Sequence, residues 1–123
     1  MRTYYIAGNW KMNKTAAESV ALAKALVQEL GTCGERVMIA PAFTALAAVA
    51  DAIKGSKIVL GAQNMGPDLQ GAHTGEVSPI MLKDLGVKAV ILGHSERRHS
   101  YLESDARSEE RRVGKECRSR RSP

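Results

Sequence analysis

Residues 93–98 read Gly-His-Ser-Glu-Arg-Arg and directly follow the apolar run Ala89-Val90-Ile91-Leu92. This order sets one histidine, His94, at the tip of a buried strand where a new helix begins, with Ser95 placed to cap a helix starting near Glu96. The free amides of a helix N-terminus favour anions and disfavour imidazolium. A neutral imidazole held there can donate a hydrogen bond to an oxygen that gains negative charge during a reaction. The competing reading is a surface histidine just past a strand. A metal centre built from His73, His94 and His99 is disfavoured. His94 and His99 are five apart, a poor match for one helical face, and no cysteine or carboxylate set accompanies them. Near the other end, Gly8-Asn9-Trp10-Lys11 is neither a GxGxxG turn nor a P-loop, which argues against dinucleotide binding.

The elements that must position these residues alternate between strand-like and helix-like. The first strand is Tyr4-Tyr5-Ile6-Ala7, ending at Gly8. Thr15-Ala16-Ala17-Glu18 is a capping box, followed by Val20, Ala23, Val27 and Leu30 on one helical face, with Gly31 as a left-handed stop. Val37–Ala40 is a second strand closed by Pro41. Leu46, Val49, Ala50 and Ile53 mark a second helix, stopped by Gly55. Ile58–Ala62 is a third strand, and Ser78-Pro79 opens a short helix carrying Met81, Leu82 and Leu85 and ended by Gly86. Val87–Leu92 is the fourth strand. Four such units in succession predict a parallel α/β sheet, with its strands covered on both faces. Pattern alone leaves a doubly wound sheet and a barrel segment both open. The irregular stretch 63–77 is long enough to suggest a functional loop.

At 123 residues the chain is the size of one domain. Nothing approaches the ~18 apolar residues that span a bilayer, and the N-terminus does not read as a signal peptide. Cys33 and Cys117 form no CxxC pair, so a reducing, cytoplasmic setting is expected. The net charge of +5 is unevenly distributed: residues 1–106 carry +1 and residues 107–123 carry +4. This break in charge suggests that two unlike sequences are joined.

Five segments together resemble the triosephosphate isomerase family: Gly8-Asn9-Trp10-Lys11-Met12-Asn13, Ala40-Pro41, Gly61-Ala62-Gln63-Asn64, Thr74-Gly75-Glu76-Val77-Ser78 and Gly93-His94-Ser95-Glu96-Arg97-Arg98. Each adjoins the C-terminal end of an expected strand. The resemblance covers residues 3 to about 106 and implies the first four βα units of a TIM (β/α)8 barrel, an architecture of about 250 residues when whole. It further implies interconversion of dihydroxyacetone phosphate and glyceraldehyde 3-phosphate through an enediolate, in glycolysis and gluconeogenesis, without a cofactor. This enzyme is itself a standard illustration of acid–base groups tuned by their surroundings. By resemblance Asn9 and Lys11 bind substrate. They are two apart, so an extended chain would turn both to one side. Lys11 would also stabilise charge on the carbonyl oxygen, while His94 would polarise the carbonyl and shuttle protons. Glu96 matches a carboxylate close to the site, as catalytic group or as plain first-turn acid; Arg97 and Arg98 match structural ion-pairing positions. Thr74, Gly75 and Glu76 match the loop that enters a second subunit, which implies a homodimer.

No residue matches the family's catalytic glutamate, its lid or its phosphate-gripping loops. The polypeptide as written is therefore expected to be inactive, with exposed sheet edges that favour association. Residues 107–119 resemble the translation of a sequencing-adapter oligonucleotide, so 107–123 is expected to be an unrelated basic tail. A natural nucleic-acid-binding tail is the rival reading, against which stand its lack of aromatic residues and its three interrupting acids. Partners are expected to be a triose phosphate and a second subunit, with neither nucleic acid nor membrane involved. A non-catalytic half-barrel that pairs with a partner half is the alternative function.

Overall fold

The computed structural model describes residues 5–30 and 36–100. The expected stop at Gly31, both cysteines and the segment 107–123 lie outside them. Eight elements alternate: β1 Tyr5–Asn9, α1 Ala16–Leu30, β2 Arg36–Ala40, α2 Phe43–Ala52, β3 Val59–Ala62, α3 Pro79–Asp84, β4 Ala89–Val90 and α4 Ser95–Ser100.

The strands pair in parallel, in the order β1-β2-β3-β4. This order decides between the two architectures left open by the sequence. A doubly wound sheet reverses its strand order at a switch point and places helices on both faces. Here every crossover steps to the next position in the same direction, so successive helices share a face and α1 packs on α2. That is one half of a barrel wall.

Burial separates the two sheet faces. Val37, Ile39, Leu60, Ala62 and Val90 join Ala23, Ala45, Leu46, Val49, Ile53 and Leu82 in the main core, beneath the helices. Met38, Ala40 and Ala89 form a smaller cluster with Val59 and Ile91 on the opposite face. Strand β2 is thus enclosed on both sides, which is why it reads as an unbroken apolar run rather than an alternation. Gly61 belongs to this inner packing: a Cβ there would meet the Met38 side chain, whose thioether fills the space.

Local chemistry sets the helix starts. Glu18 N–H donates to Thr15 Oγ1 at 3.2 Å and Thr15 N–H donates to Glu18 Oε1 at 2.9 Å, completing the capping box. Those bonds from Thr15 hold the Glu18 carboxyl below the usual carboxylate range. Ser78 Oγ accepts from Met81 N–H at 3.3 Å, with Pro79 in the first turn of α3.

Three expectations need correction. Strand β1 runs on through Gly8 and Asn9. Strand β4 is confined to Ala89–Val90; on its N-terminal side Val87 N–H is taken by Leu82 O of the preceding helix at 3.1 Å instead of entering the ladder. In α3, Leu82 is buried but Met81 is 55% exposed, since a six-residue helix turns only one narrow flank to the sheet. Among the described residues no helix is long and apolar enough to cross a membrane.

Candidate active site

The C-terminal ends of the four strands converge on an open cleft of about 250 Å³, lined by Asn9, Lys11, Met12, Phe43, Gln63, Asn64, His94, Glu96 and Arg97. The first turn into it follows β1. Trp10 N–H donates to Ala40 O at 3.1 Å, carrying the chain one step past the strand beside β2. Asn9 Oδ1 then accepts from Lys11 N–H at 2.9 Å, an Asx turn that bends the chain sharply. Lys11 has φ 57°, in the left-handed region, where a residue bearing a Cβ is strained by roughly 1–2 kcal/mol. The expected extended Asn9–Lys11 geometry is therefore corrected. The two residues reach the cleft together because the Asn9 carboxamide holds a turn, not because a strand continues to Lys11.

The second turn follows β4. Gly93 has φ 62°, a conformation that suits glycine, and it swings the chain from strand into α4. The helix begins at Ser95, one residue earlier than expected, so the capping position falls to His94. Its Nδ1 accepts from Glu96 N–H at 3.0 Å, and its carbonyl accepts from Arg97 N–H at 2.9 Å. The capping role assigned to Ser95 belongs to the histidine, because Ser95 already lies inside the first turn. An Nδ1 that accepts an amide hydrogen carries no proton of its own, so the neutral ring holds its proton on Nε2. A Glu96 carboxylate oxygen also lies 3.5 Å from Nδ1. The shorter, aligned amide contact sets the tautomer.

Lys11 and Glu96 join the two turns. Lys11 Nζ donates to Glu96 Oε2 at 2.9 Å, with both side chains about half exposed. This hydrogen bond holds the Glu96 carboxyl below its usual range, with desolvation opposing it. Glu96 is the one carboxylate lining the cleft among the described residues. A general base works best with a pKa near the operating pH, so a carboxylate pushed down by its own ion pair is a poor proton abstractor. The cleft thus assembles an ammonium, an imidazole N–H donor and a carboxamide, which is equipment for polarising a carbonyl.

Thr74, Gly75 and Glu76 are not drawn into this cleft. They lie in the irregular 63–77 loop, where Thr74 and Gly75 are exposed and Glu76 helps to line a separate hollow of about 200 Å³ with Asp68 and His73. His73 Nε2 lies 2.8 Å from Asp68 Oδ2 within that loop. Sequence reasoning missed Gln63 as a functional residue. Its Nε2 donates to Lys11 O at 2.9 Å and to Ala40 O at 2.8 Å. Its place in Gly61-Ala62-Gln63-Asn64 at a strand end was the available signal, but its acceptors are main-chain carbonyls that no residue type advertises.

Comparisons with known proteins identify the family. The family model described as triosephosphate isomerase matches residues 4–113. The chain belongs to the triosephosphate isomerase family. A triosephosphate isomerase from Treponema pallidum is 59% identical over 105 residues, spanning 85% of this chain and 42% of that protein. One from Chloroflexus aurantiacus is 54% identical over 107 residues, with 86% and 43% covered. The crystal structure of triosephosphate isomerase from Bartonella henselae superposes with a TM-score of 0.85 at 39% identity, covering 92% of this chain and 47% of that one. The chain thus spans somewhat under half the length of these triosephosphate isomerases, in keeping with four βα units of an eight-unit barrel.

Proposed function

We propose that residues up to about Ala106 carry the electrophilic side of a triosephosphate isomerase site, for interconversion of dihydroxyacetone phosphate and glyceraldehyde 3-phosphate in glycolysis and gluconeogenesis. The observation that carries this reading is the joining of Lys11 and the His94 turn across the sheet, with His94 Nδ1 accepting the Glu96 amide, so that a neutral ring would carry its proton on Nε2. In this reading Nε2–H donates to the substrate oxygens as an enediolate forms, Lys11 offsets charge on the carbonyl oxygen and phosphate, and Asn9 helps to seat the substrate. Glu96 serves as the anchor of Lys11 and not as the base. Metal and cofactor are not needed for such polarisation. Thr74, Gly75 and Glu76 would enter a second subunit in a cytoplasmic homodimer.

The reaction also needs a base to remove a carbon-bound proton, and general base catalysis supplies roughly 10²–10⁴ in rate. No described residue in the cleft fills that role, so the 123-residue polypeptide alone is expected not to isomerise triose phosphate. Residues 107–123 are read as a non-native tail unconnected with the site, although the family match runs on to residue 113; reading the encoding DNA across codons 107–118 tests this, and ordinary genomic sequence there would defeat it. The functional test is complementation. A polypeptide carrying the remaining four units of a relative should restore isomerisation when mixed with this chain, and His94→Gln in this chain should abolish the restored rate. Turnover by this chain alone at a rate near that of an intact relative would refute the half-site reading. Restored turnover indifferent to His94→Gln would refute the assignment of the electrophile.

A further inference from the structure

Two turns at the N-terminal ends of β3 and β4 share the pattern Gly-x-Lys: Gly55-Ser56-Lys57 ahead of β3 and Gly86-Val87-Lys88 ahead of β4. Each follows a helix, α2 or α3, and each glycine has φ 86°, a left-handed conformation that suits glycine. Short bonds fix both turns. Ser56 Oγ donates to Ile53 O at 2.7 Å and accepts from Ile58 N–H at 3.2 Å. Gly86 N–H donates to Lys83 O at 3.0 Å, and Lys88 N–H donates to Leu60 O at 2.9 Å. Because β3 and β4 are neighbours in the sheet, the two turns flank one hollow of about 380 Å³. It is larger than the His94 cleft and lies at the other end of the strands.

The hollow has the half-buried Ala50, Val59 and Leu85 in its wall, and the exposed Lys54, Lys57 and Lys88 line it as well. Among the described residues no Asp or Glu lines it; Asp51 and Asp84, on the adjoining helices, are exposed and outside the lining. The C-terminal ends of α2 and α3 meet the same hollow, so lysines gathered there would in part balance the helix dipoles. Magnitudes show that this is not their whole effect. Two helix ends bring about −1 of partial charge between them, against three ammonium charges, which leaves about +2 facing the hollow. We propose that this hollow is a binding site for a small amphiphilic anion, an apolar body bearing a carboxylate, sulfonate or phosphate head. Lysine stems cover apolar surface while their heads stay in water, and ammonium groups act as rotatable point charges on an anionic head. A concave, largely apolar site of a few hundred Å³ with few polar groups is the usual form of a small-molecule site. It shares no residue with the His94 cleft, so it does not rest on the isomerase reading.

The test titrates the dilute, nitrogen-15-labelled 123-residue chain with 1-naphthoate, following amide shifts by NMR and uptake by equilibrium dialysis. Saturable binding is expected, with the largest shifts at Gly55, Lys57, Gly86 and Lys88. The neutral analogue 1-naphthalenemethanol should bind about tenfold more weakly, and so should sulfate, which has charge without an apolar body. Combined Lys54→Gln, Lys57→Gln and Lys88→Gln should weaken naphthoate by a similar factor, with circular dichroism unchanged. Equal binding of naphthoate and its alcohol overturns the proposal, because apolar adhesion alone would then explain uptake. Sulfate binding as tightly as naphthoate overturns it too, as does a folded triple variant with undiminished affinity. If the triple variant does not fold, the wild-type shifts and the three-ligand comparison still decide. Shifts centred on His94, or displacement of naphthoate by dihydroxyacetone phosphate, would assign the binding to the other cleft and refute this site. The isomerase reading fails or stands separately, in the complementation assay.

Discussion

The state of Glu96 governs what each charged residue in the cleft can do. Its carboxyl is held below the usual range, first by the hydrogen bond from Lys11, with desolvation acting in the opposite sense. The sign of the resulting pH dependence follows. The unfolded chain takes up this proton at ordinary carboxylate pH, whereas the folded chain resists it until the pH is lower. The pair therefore contributes its full stabilisation above the ordinary range and loses it as pH falls through the lowered folded value. Because both side chains are about half exposed, water and salt screen the interaction and the effect is small. Urea denaturation of wild type and Glu96→Gln across an acid series should show a difference that is constant near neutrality and closes on acidification. A difference that persists unchanged in acid would place its origin outside the ion pair. The same residue shows where sequence reasoning ran out. A glutamate two positions past His94 was visible as a first-turn acid or a catalytic group. What it could not show was the approach of Lys11 from 85 positions away in the chain.

Elements whose specification is local were legible; those fixed by distant backbone were not. Thr15 with Glu18, and Ser78 with Pro79, announce helix starts because cap and amide lie within one turn of chain. The apolar faces led by Leu46, Val49 and Ile53 follow the helical period. The start of β4 and the two hydrogen bonds from Gln63 depend on which carbonyl arrives from another element. Gly61 is a case in between: a glycine inside a strand hints at close approach, but only the register with β2 shows that Met38 fills the space. This yields a test at the level of strand packing. Gly61→Val should destabilise the fold by about 1–3 kcal/mol through overpacking, read from urea midpoints at unchanged slope. Met38→Ala alone should also destabilise, by leaving a cavity. The two together should cost less than their sum, because each relieves the other. Strict additivity would mean that the inner faces of β2 and β3 are not in contact as described.

At the level of the whole molecule, four units fold one wall of a barrel and leave two margins. Among the described residues β1 pairs only with β2, and β4 only with β3. Ile6 marks the first margin: it pairs in register with the buried Val37, on the helix-covered face, yet is 50% exposed because no helix among the described residues covers it there. A parallel edge with no strand paired to it among the described residues, beside a half-exposed isoleucine, is a site at which chains can add to one another. The 123-residue polypeptide should therefore associate in a concentration-dependent way in sedimentation velocity at micromolar levels, and its thermal unfolding should be broad. Ile6→Lys should weaken association by placing a charge at the edge, with little effect on the helical signal, since the side chain is already half in water. A strictly monomeric chain that melts in one sharp cooperative transition would show that this half-wall is self-sufficient. That would also remove the physical reason for expecting a second half at the His94 cleft.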